Sequence, residues 1–198
     1  MNKEVDYYYS HVSPWSYLGA ERLYKIAAAA NAKINFKPVN LGVIFPQSGG
    51  LPLGKRAPQR RAYRLMELKR WKAHLGIDLN LEPKYFPTNE TTANLMAISA
   101  GLNGDDVGPL SLAIMKKCWV EEKDIGEERV LIEAAIQCGF DGLALLDESR
   151  EDRASEGFKA NTEDASKRGV FGAPTYIYKD EVLWGQDRLD FLERALAD

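Results

Sequence analysis

Ser13 follows an aromatic run, Val5-Asp6-Tyr7-Tyr8-Tyr9, and precedes Pro14-Trp15-Ser16-Tyr17-Leu18-Gly19 and an alanine-rich helical pattern over 20–30. Proline is favoured in the first helical turn, which makes Ser13 the expected N-cap, with its Oγ beside uncommitted backbone N–H groups and the positive end of the helix dipole. A hydroxyl held there favours a bound anion, and a thiolate is one anion it would stabilise. From this turn alone a plain helix cap remains an open reading.

A second candidate lies near the other end, in Gly169-Val170-Phe171-Gly172-Ala173-Pro174-Thr175-Tyr176-Ile177-Tyr178, followed by Val182-Leu183-Trp184-Gly185-Gln186-Asp187-Arg188-Leu189. To serve one site, the two segments must be brought together by the fold. The β-rich stretches 5–9 and 34–39, with a helix between them, predict a βαβ unit with a right-handed crossover. Strands over 175–178 and 182–184, separated by Lys179-Asp180-Glu181, predict an antiparallel hairpin, and a helix over 187–196 closes the chain. Together these predict a four-stranded mixed sheet.

Between the two halves the periodicity is helical, with stretches predicted at 59–75, 91–100, 106–121, 127–138, 142–152 and 153–168. Leu65, Leu68 and Trp71, and likewise Leu110, Ile114 and Cys118, recur at helical spacing and read as core-facing stripes. The Gly/Pro-rich stretch 45–54 reads as a loop at a functional edge.

The 198 residues are enough to bury a sizeable core, and a net charge of -3 argues against a general nucleic-acid binder. Lys and Arg are nevertheless dense over 55–64, a run that either attracts an acidic small molecule or forms a solvated helix face. A charged N-terminus and the lack of any run of about 20 apolar residues predict a soluble intracellular protein with no membrane segment. Cys118 and Cys138 form no Cys-x-x-Cys and have no neighbouring His pair, so no redox dithiol or metal site is expected, and both read as buried free thiols. His11 and His74 receive no role.

The motifs SPWSYLG, GVFGAPT and WGQDRL, in this order across nearly the whole chain, resemble the 2-hydroxychromene-2-carboxylate isomerases and their relatives, the kappa-class glutathione transferases. The resemblance implies an α/β chain in which a thioredoxin-like domain, built from 1–41 and 169–198, is interrupted by a large all-helical insertion over 42–168. It implies glutathione as cofactor, with Ser13 where disulfide oxidoreductases carry their first cysteine and Ser16 at the position of the second. Ala173, before an expected cis Pro174, would offer its backbone to the cysteinyl part of glutathione. Trp184, Gly185, Gln186 and Asp187 would bind the tripeptide, Gln186 and Asp187 holding its γ-glutamyl end and Arg188 anchoring Asp187 or the helix start. Trp15 and Tyr17 would pack or line the cleft.

For the substrate, a small aromatic oxo-acid, the same resemblance points to Lys55 and Tyr85, but places Phe45 where hydroxychromene isomerases carry a lysine. Lys55, Arg56 or Arg60 would then supply the missing charge, and Tyr85 and Phe86 stay open as packing residues. The implied activity is glutathione-dependent cis–trans isomerisation in naphthalene-type degradation, by a cytoplasmic homodimer. A kappa-like transferase and a non-catalytic thioredoxin-like binding module remain as alternatives.

Overall fold

The computed structural model describes residues 3–197. Strand β1 (Lys3–Tyr9), helix α1 (Pro14–Ala29) and strand β2 (Ala32–Pro38) form the parallel βαβ unit, with Tyr7 opposite Phe36. The helix begins at the proline, ahead of the alanine-rich stretch, because Ser13 caps it there.

After β2 the structure departs from the expected Gly/Pro loop. Helix α2 (Leu41–Gln47) forms because the Asn40 side chain caps it, accepting from the Gly42 N–H at 2.9 Å, and because Ile44 buries against the sheet. A short 3-10 turn (Leu53–Lys55) then leads into α3 (Pro58–Leu75). Helices α4 (Thr91–Leu102), α5 (Val107–Trp119), α6 (Glu128–Gln137), α7 (Gly142–Glu148) and α8 (Asp152–Lys167) follow without a strand.

Strands β3 (Thr175–Tyr178) and β4 (Glu181–Trp184) complete a sheet in the order β2-β1-β3-β4, antiparallel beyond β1. Their turn is tighter than the three residues expected. Tyr178 pairs with Glu181, and Lys179 and Asp180 take φ values of 48 and 65, the signs a two-residue hairpin of matching twist requires. A 3-10 turn (Gln186–Arg188) and α9 (Leu189–Ala197) end the chain. Among the described residues no helix is long and apolar enough to cross a membrane.

Alternation along β1 divides the core in two. Val5, Tyr7 and Tyr9 face one way, packed with Leu18 and Leu23 of α1, Leu192 and Leu196 of α9, and Leu110 and Trp119 of α5. Tyr8 faces the other way with Val39, Ile44, Ala165 and Ile177, so α2 and α8 cover that face. Helix α8 is tied to the sheet by charge as well: Asp164 accepts from both Lys37 Nζ and the Tyr8 hydroxyl at 2.6 Å, and Arg168 pairs with Asp6.

Candidate active site

Ser13 has extended backbone (φ -87, ψ 117) and joins the turn to α1 through three hydrogen bonds. Its N–H donates to the Ser10 carbonyl at 3.1 Å, its carbonyl accepts from the Tyr17 N–H at 3.1 Å, and its Oγ accepts from the Ser16 N–H at 3.2 Å. Pro14 has no N–H, which leaves the Trp15 N–H as a first-turn donor that no helix carbonyl can reach. The Ser13 hydroxyl hydrogen goes elsewhere, to the Ala173 carbonyl at 3.2 Å. The two segments singled out in the sequence therefore meet side by side.

The approach is close because Gly19 lets α1 lie against β3 and the turn beyond β4. A Cβ there would fall 2.8 Å from the Tyr176 hydroxyl oxygen and 3.0 Å from Gln186 Cβ. The Ala173–Pro174 peptide is cis, the Pro174 carbonyl accepts from the Gly185 N–H at 2.9 Å, and the Ala173 N–H has no partner among the described residues. An orphan donor beside a weakly held acceptor is the pair that an extended peptide takes up in strand-like fashion.

Beyond the proline, Trp184 is half-exposed and lies over Gly172, where a Cβ would sit 2.5 Å from the indole Nε1. Gly185 has φ +104, a conformation L side chains rarely adopt, and it turns the chain so that Asp187 follows at the cleft edge. Arg188 pairs with the Asp187 carboxylate at 3.2 Å. Gln186 is buried and its amide oxygen accepts from Arg22 at 2.8 Å, so that oxygen braces the turn against α1.

Beneath the Ser13 turn lies support that sequence reasoning missed. Glu90, at the start of α4, accepts from the Ser10 hydroxyl at 2.8 Å and from the Val12 N–H at 3.0 Å. Desolvation pushes its carboxyl up to about 7, against these bonds, which favour the charged form. Buried His11 contacts Asn94 of α4, Nδ1 to Oδ1 at 2.7 Å, and burial lowers the imidazole to about 4, so it is neutral near pH 7. Its Nδ1 must then donate to the Asn94 oxygen, leaving a buried Nε2 with no partner. Nothing near residues 90 or 94 in sequence marks them for this role.

Beside the Ser13 turn lies a cleft of about 570 Å³, lined by neighbours of Ser13 and not by Ser13 itself. Trp15 and the Ala173–Pro174 bond, together with residues 184–188, face Arg56, Arg60, Tyr63, Arg64 and Trp71 from the α3 side. Trp71 thus borders the cleft instead of serving only as a core stripe, whereas Leu68 is fully buried. Tyr17 is buried, its hydroxyl donating to the Asp78 carbonyl at 2.9 Å. Lys55 ends the 3-10 turn, exposed and outside the lining, and Tyr85 borders a separate pocket of about 330 Å³ with Lys84, Glu122 and Arg129. Phe45 lies under the Arg56 guanidinium at 5.8 Å, and Phe86 packs against Trp119 at 5.0 Å. Cys118 is buried, with burial pushing its thiol up to about 12, but Cys138 is only partly covered because it follows the last turn of α6. Both are free thiols.

The DSBA-like thioredoxin domain matches residues 4–197. The 2-hydroxychromene-2-carboxylate isomerase of Sphingobium xenophagum is 27% identical over 100% of both chains, and glutathione S-transferase kappa 1 of Homo sapiens is 26% identical over 99% of this chain and 92% of its own. Among solved structures, a 2-hydroxychromene-2-carboxylate isomerase superposes with a TM-score of 0.83 at 27% identity, covering 98% of this chain and 94% of that one. The cytosolic disulfide reductase DsbM of Pseudomonas aeruginosa, solved with GSH, shares the fold at a TM-score of 0.69 and 17% identity, over 98% of this chain and 100% of its own.

Proposed function

From the premise that this chain belongs to the DSBA-like thioredoxin domain family, we propose that it is a glutathione-dependent cis–trans isomerase converting 2-hydroxychromene-2-carboxylate to trans-o-hydroxybenzylidenepyruvate. The observation that carries the reading is the Ser13 hydroxyl, capping α1 within hydrogen-bond reach of the Ala173 carbonyl at a cis Ala173–Pro174 bond. A hydroxyl there assists a thiolate but has no redox chemistry of its own. Bound at this place, glutathione supplies a thiolate able to add reversibly to a conjugated carbon and so free a double bond to rotate.

The chain's own residues do the rest. Ala173 offers its free N–H and its carbonyl to an extended peptide, and the Ser13 hydroxyl turns from that carbonyl to donate to sulfur. The α1 N-terminus and the Trp15 N–H add positive potential at the same point. Asp187, Gln186, Gly185 and Trp184 hold the remainder of the tripeptide. Arg56, Arg60 and Arg64 bind the substrate carboxylate and stabilise the developing enolate in this proposal, while Lys55 and Tyr85 stay at the periphery.

Absorbance-monitored turnover of 2-hydroxychromene-2-carboxylate, with and without glutathione and for Ser13→Ala, tests this directly. Conversion that needs glutathione and is lost in the variant is the expected result. Turnover indifferent to both would refute it. Accumulation of a stable glutathione conjugate would instead favour a transferase, a reading supported by the full-length similarity to the kappa-class enzyme. A cytoplasmic homodimer belongs to the same proposal, supported by the need for reduced glutathione, the free thiols and the family likeness. Sedimentation should give about twice the 22.2 kDa chain mass.

A further inference from the structure

We propose that, beyond the monocarboxylate named above, this cleft accepts an electrophile with two acidic groups on one planar conjugated frame, held by Arg60 and Arg64; the inference rests on the thiol site proposed above. Among the described residues none of these guanidiniums has a carboxylate within 4.0 Å, although acidic side chains outnumber basic ones in the chain as a whole. The two carboxylates bordering the cleft are already engaged, Glu67 with Arg70 and Asp187 with Arg188. Three unpaired arginines therefore face two neutralised acids.

The arrangement is built to receive charge. Arg64 is partly buried, its guanidinium stacked over Phe86 at 5.4 Å, and Arg56 is steadied by donating from Nε to the Leu51 carbonyl at 2.7 Å. Burial first, and then the positive charge of Arg56, lower Arg64 to about 10, while burial and Arg60 lower Arg56. Three like charges crowded without a counter-ion lose stability that bound anions restore, and a guanidinium receives a carboxylate through two parallel N–H donors. The glycine carboxylate of glutathione can engage Arg56. Two remain, one more than a hydroxychromene monocarboxylate would use. Trp15, Tyr63 and Trp71 around them supply the flat apolar walls that a planar skeleton packs on.

Calorimetric titration of phthalate against benzoate, each with and without saturating glutathione, reads the proposal with defined probes. Phthalate should bind at least about tenfold more tightly than benzoate. Arg60→Ala and Arg64→Gln, each checked by thermal melting, should erase that preference and leave glutathione affinity within about threefold, and added salt should weaken phthalate binding. Equal binding of the two probes, or a preference that survives in both variants, overturns the inference. So does competition between phthalate and glutathione with a tenfold loss of glutathione affinity in Arg60→Ala, since the arginines would then belong to the tripeptide. An arginine-dependent phthalate preference in a protein that binds no glutathione supports the dianion pocket and refutes the thiol site.

Discussion

One hydroxyl hydrogen cannot serve two acceptors, and that limit decides what Ser13 does. Its lone pair holds the Ser16 N–H while its hydrogen goes to the Ala173 carbonyl, and in the function proposed above that hydrogen turns instead to the sulfur of bound glutathione. Ser13→Ala should raise the pKa of the bound thiol by about one to two units, read from thiolate absorbance, because the lost charge-assisted bond is worth about 1.5–3 kcal/mol. Losing the cap should cost about 1 kcal/mol of stability in denaturant titration. Asp187→Ala should weaken glutathione binding in calorimetry, with the thiol pKa unchanged. Gly172→Ala drives a methyl into the Trp184 indole, and the expected result is several-fold weaker glutathione binding at nearly constant melting temperature. Ser13, Ala173 and the 184–187 turn were legible because each motif is contiguous. Arg22 and Glu90 were not, because their partners lie far along the chain.

At the scale of elements, α4 carries the turn that carries Ser13. The Glu90 carboxyl titrates near 7 in the fold but near 4.3 in an unfolded chain, so between those values the folded protein binds the extra proton and its stability falls as pH rises. Glu90→Gln removes this dependence while keeping both bonds satisfied, since the Ser10 hydroxyl can accept from the amide. Relative to that variant, the natural protein should lose up to about 1.4 kcal/mol per pH unit across that window, measured by urea unfolding at a series of pH values. His11 acts in the opposite sense. Its folded value lies below the unfolded one, so its contribution is present above about 6.5 and is lost as pH falls through about 4. The helices themselves were legible from their spacing, but α2 was not: Asn40 and Ile44 make it a helix, and only the sheet supplies the apolar surface that rewards Ile44.

At the scale of the molecule, α8 closes the second face of the sheet, bringing Asp164 onto Lys37 and Tyr8. Despite opposing desolvation, those two hydrogen bonds hold the Asp164 carboxyl below its usual value, so its contribution is present above about pH 4 and disappears as pH falls further. Asp164→Asn should therefore be less stable at neutral pH, by about 1 kcal/mol or less given its exposure, with the difference from the natural chain vanishing in acid. We propose the 1–41 and 169–198 segments as one discontinuous domain around an insertion, with α8 returning to roof it. Local chemistry in the sequence by itself determined the caps, the helical periods, the strand alternation and the two segments of the candidate site, since each depends on neighbours a few residues apart. Only the tertiary structure decided that Glu90 braces the Ser13 turn, that Arg22 engages Gln186, and that Arg56, Arg60 and Arg64 face the cleft while Lys55 and Tyr85 do not. Those outcomes depend on which helix faces meet once the core is packed, and a pattern of spacings along one chain carries no record of the rotation of one helix against another.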